Sequence, residues 1–171
     1  NVADAGPNLV HVENDQYRVL AGLRWDWLGF QWESAALYSE ARVRDTSDGI
    51  SATLLQRQLG LSTPDAYNPF NGSDLTTPSG RDATPSNDAA LRAIRIKTTR
   101  FSKATLALAD LKLSNARLLS LPGGNLGLAL GAEIRRETQL DDRDPRVDGT
   151  TTFTDSVSGI TYGSDLVGTS P

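Results

Sequence analysis

Residues 17 to 38 alternate between apolar and polar positions with a period of two. Tyr17, Val19, Ala21, Leu23, Trp25 and Trp27 form one row, and Phe30, Trp32, Ser34, Ala36 and Tyr38 continue it after Leu28-Gly29. Between them stand Arg18, Leu20, Gly22, Arg24 and Asp26, then Gln31, Glu33, Ala35, Leu37 and Ser39. Successive side chains of an extended chain point to opposite faces, so the pattern predicts two strands joined by a turn. The ten residue steps from Tyr17 to Trp27 span roughly 33 Å. Tilted by about 40°, that row stands roughly 25 Å tall, the height of the apolar band on a transmembrane β-barrel with aromatic girdles at both rims.

Cross-strand pairing gives the same picture. With Leu28-Gly29 as a two-residue turn, Trp27 lies opposite Phe30, Trp25 opposite Trp32, Leu23 opposite Ser34, Ala21 opposite Ala36 and Val19 opposite Tyr38. Arg24 then faces Glu33 on the polar side, a pair worth about 0.2–1 kcal/mol. A slip of one residue would drive Arg18, Arg24 and Asp26 onto the apolar face. Leu-Gly is not a favoured type I′ or II′ pair, which leaves a longer turn open.

The rest of the chain repeats this design between long polar segments. Residues 1–15 are polar, with Gly6-Pro7-Asn8 marking a loop. From about 45 to 93 the prolines 64, 69, 78 and 85, with many Ser, Thr, Asn and Asp, exclude regular sheet through much of the stretch. Within it, 51–61 has room for one short helix, with Leu54, Leu55 and Leu59 near one face. A second alternation runs over about 94–114. Thr99, Phe101, Thr105, Ala107, Ala109, Leu111 and Leu113 share one face; Arg100, Ser102, Asp110, Lys112 and Ser114 share the other, with Leu106 and Leu108 among them. Leu121-Pro122-Gly123-Gly124-Asn125 signals a tight turn. Leu126, Leu128, Leu130, Ala132 and Ile134 then alternate with Gly127, Ala129, Gly131, Glu133 and Arg135.

The expected fold class is therefore all-β: about four antiparallel up-and-down strands in two hairpins, over about 16–28, 30–44, 94–114 and 125–138. Long loops fill about 45–93 and 139–171. Short turns on one side and very long loops on the other match outer-membrane barrels, whose short turns face the periplasm and whose long loops face outside. Four strands do not close such a barrel, since eight is the smallest known. The chain is accordingly expected to be a fragment of a single barrel domain in a longer protein.

Composition narrows the alternatives. The 171 residues are 38% apolar and 22% charged, with a net charge of −4 and no cysteine. No apolar run approaches the ~20 residues of a spanning helix, and barrel strands do not register as such runs. The acidic balance argues against a nucleic-acid surface. Without cysteine there is neither a disulfide framework nor a thiolate metal site. His11 is the only histidine, which speaks against a multi-histidine metal site and against an enzyme.

Tyr-Arg-Val-Leu-Ala-Gly-Leu-Arg (17–24), followed by Trp-Asp-Trp and Phe-Gln-Trp-Glu, resembles barrel segments of TonB-dependent outer-membrane receptors. So does Ala-Asp-Leu-Lys-Leu-Ser-Asn (109–115), followed by Leu-Pro-Gly-Gly-Asn-Leu-Gly-Leu-Ala-Leu-Gly-Ala-Glu-Ile-Arg-Arg-Glu (121–137). Ala-Tyr-Asn-Pro-Phe-Asn-Gly (66–72) is similar to that family's extracellular loops. The resemblance implies a 22-stranded barrel in the bacterial outer membrane with an N-terminal plug, importing a scarce nutrient such as a siderophore or oligosaccharide with energy relayed by TonB. Neither the plug nor a TonB box is present in this sequence, so the implied partners are membrane lipid, the remaining strands and plug of a parent chain, TonB through that parent, and a small-molecule nutrient. No cofactor is implied.

Five charged residues, Arg24, Glu33, Asp110, Glu133 and Arg135, are expected to face the lumen, where solvating the barrel interior is the commoner role and lining a substrate path the rarer one. Tyr67, Asn68, Phe70 and Asn71 are candidate ligand-binding residues: aromatic rings beside amides can stack on a sugar or aromatic siderophore while bonding its polar edge. Packing of Tyr67 and Phe70 onto the loop's own helix is the competing role. Asp141, Asp142, Asp144 and Asp148 fail the spacing of a calcium loop and read as a solvated acidic turn. The main alternative to a transporter segment is a soluble β-sandwich binding or adhesion module, in which the tryptophans would pack against a second sheet.

Overall fold

The computed structural model describes residues 7–69 and 88–168. Among these, four long strands form one sheet: β1 (Val10–Trp27), β2 (Phe30–Ile50), β3 (Arg95–Leu121) and β4 (Gly124–Arg143). They lie in chain order, an antiparallel meander with β1 and β4 as open edges and no closure between them. Two short helices, α1 (Ala52–Leu59) and α2 (Asp88–Ile94), separate β2 from β3, and a small antiparallel hairpin, β5 (Phe153–Thr154) and β6 (Thr161–Tyr162), follows β4.

The chain divides into two compact units. One comprises Asn14–Val43 and Phe101–Asp141, which is sheet; the other comprises Asn1–Glu13, Arg44–Arg100 and Asp142–Pro171, which holds the strand ends, both helices and the small hairpin.

In the sheet unit the first turn has two residues. Leu28 and Gly29 both take positive φ, 51° and 77°, the type I′ geometry whose twist matches the flanking strands. The side chains follow the register that the apolar row requires. Arg24 pairs with Glu33, the indole of Trp25 stacks on Trp32 at 6.0 Å and 10°, and Tyr17 meets Tyr38 at 6.0 Å. Asn115 of β3 donates from Nδ2 to the Gly29 carbonyl at 2.9 Å, closing the turn from outside. Between β3 and β4, Ser102 bonds Asp141 at 3.0 Å, and three residues further along β3 Thr105 meets Thr138, three residues back on β4. The second turn uses Pro122 and Gly123, with Gly124 at φ 134°, where only glycine sits without strain.

The strands run past the expected limits. β2 continues to Ile50 through Asp45-Thr46-Ser47-Asp48-Gly49, of which Asp45, Asp48 and Gly49 have poor strand propensity. Pairing holds them: the Asp48 amide bonds the Leu9 carbonyl at 3.0 Å, and Thr98 Oγ1 reaches the Ser47 carbonyl at 3.5 Å. The expected helix exists as α1, capped by Ser51, whose Oγ accepts from the Leu54 amide at 3.1 Å, and ended by Gly60. The second helix, α2, had no counterpart in the expectations. It is too short to hold by propensity and is fixed by burial of Ala90 and Ile94, one turn apart on one face.

Buried apolar side chains among the described residues are Tyr67, Ala90 and Ile94, all in the helix-bearing unit. The sheet unit has none. Leu23 is 74% exposed, Trp27 59% and Ile134 74%.

Leu28 in a left-handed conformation costs roughly 1–2 kcal/mol, and Leu28→Asn relieves part of it. The variant is expected to raise the denaturation midpoint of the chain, by about 1 kcal/mol in stability, measured by urea titration of tryptophan fluorescence. An unchanged or lower midpoint would argue that the turn opens in solution.

Candidate functional site

Two surfaces carry chemistry, one in each unit, and the first is built by alternation. On the sheet, the odd positions of β1, even of β2, odd of β3 and even of β4 share a face. That face carries Val19, Leu23, Trp25, Trp27, Trp32, Leu111, Leu130 and Ile134. At its lower end the three tryptophans cluster, Trp27 lying 6.0 Å from Trp32 and the Trp32 Nε1 donating to the Trp27 carbonyl at 3.2 Å. At its upper end stand Tyr17 and Tyr38, with a polar cluster beside them. Glu40 is only 3% exposed: it accepts from Tyr38 Oη at 2.7 Å and Arg42 Nε at 2.5 Å, and pairs with Lys103 Nζ at 3.2 Å. A buried carboxylate is tolerable only when its oxygens are met this way. Both ends of the apolar row are thus bordered by aromatic rings in contact across strands.

The opposite face gathers the five charged residues expected on the polar side. Arg24, Glu33 and Asp110 border one shallow concavity with Lys112, and Lys112 Nζ sits 3.5 Å from Asp110. Gly131 of β4 faces the Lys112 stem at 3.5 Å, so by alternation Glu133 and Arg135 fall on this face too. Arg135 pairs with Glu137 at 3.4 Å. Arg24 with Glu33 and Lys112 with Asp110 thus offset one another's charge locally.

Of the loop candidates, Tyr67 is 4% exposed and its amide bonds the Gln58 carbonyl at 3.4 Å, so it packs beside α1. Asn68 is half-buried. Phe70 and Asn71 lie outside the described residues.

The helix-bearing unit contains an arrangement that sequence reasoning missed. Asp165, nearly buried, accepts from Ser51 Oγ at 2.6 Å and from the Thr53 amide at 2.8 Å, and Arg146 Nε lies 3.5 Å from it. Backbone bonds reinforce the junction: Ala52 N to the Asp165 carbonyl at 2.7 Å and Val167 N to Ile50 at 2.9 Å. Burial opposes ionisation of Asp165, but the Ser51 and Thr53 donors and the Arg146 charge outweigh it and hold the carboxyl below the usual range. The acid also sits at the N-terminus of α1, the favourable end of the helix dipole.

Beside this junction, α1 and the β5–β6 hairpin enclose a cleft of about 600 Å³. The helix contributes Ala52, Leu55, Gln56 and Leu59, a stripe at helical spacing; the hairpin contributes Phe153, Val157 and Tyr162; Leu166 and Val167 close it. Phe153 stacks on Tyr162 at 5.9 Å. Gln56 spans the walls, its Nε2 donating to the Thr154 carbonyl at 3.4 Å and its Oε1 accepting from the Ser156 amide at 2.8 Å. Phe-Thr and Thr-Tyr flanking a Ser158-Gly159 turn are a weak hairpin signal that the sequence did contain.

Among the described residues no group of three metal-ligating side chains occurs, and no helix is long and apolar enough to cross a membrane. No family model matches the chain, and no curated protein matches it.

Ser51→Ala removes both the cap and a donor to Asp165, a loss of about 1–2 kcal/mol, expected as faster amide exchange at Thr53 and Leu54 while β3 amides stay protected. Acid acts in the same place. Because the folded Asp165 titrates below its unfolded value, its contribution is whole above about pH 4 and is lost as pH falls through the depressed value. Exchange at Leu54 should accelerate only in that acid range, and Asp165→Asn should abolish the pH step. A step that survives Asp165→Asn would assign it to another group.

Proposed function

We propose that this chain is a segment of a transmembrane β-barrel of the bacterial outer membrane, from a receptor of the TonB-dependent type that takes up a scarce nutrient. The observation that carries the reading is a sheet with no apolar core of its own, whose apolar face is bounded by aromatic rings at both ends while the other face is charged. Fully removing a Val, Leu, Ile or aromatic side chain from water contributes about 1.5–3 kcal/mol. The exposed apolar row therefore represents on the order of 10 kcal/mol, comparable with the entire stability of an ordinary domain. Lipid supplies that contact along the whole row.

Other features support the same reading. Strands of 18 to 27 residues exceed the 9–11 that cross a bilayer, which leaves length to stand above it. The edges of β1 and β4 offer unpaired backbone groups that neighbouring strands of a barrel would satisfy. In this reading Leu28-Gly29 and Pro122-Gly123 face the periplasm, and the helices and small hairpin belong to the outside loops. The family assignment itself rests on the resemblance of residues 17–24, 66–72, 109–115 and 121–137. Selection and transport of the nutrient, the plug and the TonB contact belong to the parent protein.

The chain is expected to require detergent or lipid. After reconstitution, lipids brominated along their acyl chains should quench Trp25, Trp27 and Trp32, most strongly with bromines nearest the headgroups, because the tryptophans stand at a rim. A monodisperse monomer that unfolds cooperatively in plain buffer, with unquenched tryptophans, would overturn the proposal and favour a soluble sandwich.

A further inference from the structure

The cleft between α1 and the β5–β6 hairpin is not needed to hold the loops together. The Ser51–Asp165–Arg146 junction and the Gln56 bridge already do that, and they leave the cleft walls fixed in place without filling the space between them. Its volume, about 600 Å³, falls inside the ordinary range for small-molecule sites. Its rim exposes apolar groups to water: Val157 is 93% exposed, and Tyr162, Leu59 and Val167 are exposed beside it. A water-facing apolar patch around a preformed hollow is the usual mark of a binding surface.

Charge narrows what fits. Asp155 is the ionised group among the described lining residues, and none of them is Lys or Arg. Its carboxylate accepts from Ser158 Oγ at 2.7 Å and the Val157 amide at 3.0 Å, which fixes it at the hairpin turn and holds its carboxyl below the usual range. An anion entering the cleft would meet that charge with no counter-charge to offset it, whereas a neutral or positive group would not.

We propose that this cleft receives the apolar body of a small molecule that carries no negative charge, a cationic group where present lying toward Asp155. The assignment rests on the reading of these loops as the outside face of a receptor, and it narrows the nutrient to a class that excludes anionic chelates. The Phe153–Tyr162 stack offers a ring surface, Leu55 and Leu166 a flat aliphatic wall, and the Gln56 bridge keeps both walls at a constant separation.

The test uses three isosteric probes, 2-naphthylmethylammonium, 2-naphthalenemethanol and 2-naphthoate, titrated against the chain in non-ionic micelles by saturation-transfer NMR, with empty micelles as reference. The ammonium probe should bind about tenfold tighter than the carboxylate, an attraction and a repulsion each the size of an exposed ion pair. The alcohol should fall between them, and Asp155→Asn should flatten the ranking. Leu55→Trp fills the cleft and should abolish binding of all three. Should that variant not fold, Val157→Arg, at a fully hydrated rim position, should bring the carboxylate level with the ammonium. Equal or tighter binding of 2-naphthoate to the parent, or a ranking unmoved by Asp155→Asn and Val157→Arg, overturns the proposal. A chain that needs detergent yet binds no probe overturns the cleft alone. A chain soluble as a monomer that binds the probes in this order overturns the membrane reading and leaves the cleft standing.

Discussion

A two-residue period gives a strand two chemically different sides, and a single sheet must then find a separate solvent for each. In this chain the charged side is served by water and by its own ion pairs, such as Arg24 with Glu33 and Lys112 with Asp110. Nothing within the sheet unit covers the apolar side: the buried apolar residues among those described belong to the other unit. That imbalance is larger than any single hydrogen bond or cap in the molecule, and it decides how the aromatic borders, the buried Glu40 and the open edges are understood. A carboxylate so nearly buried at the Tyr17–Tyr38 border is costly by itself and is held there by Tyr38, Arg42 and Lys103.

The same imbalance fixes the register. Leu28 is a poor residue for the first position of a type I′ turn, yet the two-residue turn forms. The left-handed backbone costs roughly 1–2 kcal/mol. A one-residue slip would bring Arg18, Arg24 and Asp26 onto the apolar face and turn the whole apolar row to the charged side. Side-chain sorting overrides local turn preference. The Asn115 amide on the Gly29 carbonyl then recovers part of the strain by satisfying a turn group from the neighbouring strand.

How much of this was legible in the sequence follows from how locally each feature is encoded. The four strands, both tight turns and α1 were readable because each is written in one contiguous stretch of alternation, a Pro-Gly-Gly run or a capped apolar cluster. The strand ends were not, since Asp45, Asp48 and Gly49 disfavour extended structure and the stretch is held by partners at Leu9 and on β3. Helix α2 went unread because seven residues give too little periodicity, although Asp88 in its first turn and Arg92 in its last do suit a helix dipole. The charged residues assigned to the polar face were legible, being fixed by the same period as the apolar row. Ser51, Arg146 and Asp165 were not. Their partnership spans more than a hundred residues of chain, and no local pattern marks a serine or an aspartate as belonging to a distant segment. The cleft was hidden for the same reason, with Leu55 and Tyr162 contributed from widely separated stretches of the chain.

That long separation has a kinetic side. The bond from Ser51 Oγ to Asp165 joins positions 114 residues apart, and the entropy of closing so large a ring grows only slowly with its length but is substantial at the outset. Sheet assembly shortens the effective ring, because β3 and β4 carry Asp165 back toward the end of β2 before the two side chains have to meet. Pairing the ribbons first is thus the entropically cheaper route to the junction, and a shifted β2 would displace Ser51 relative to the acid. A single hydroxyl–carboxylate contact thereby makes the cap of α1 depend on a residue at the far side of two long strands in sequence.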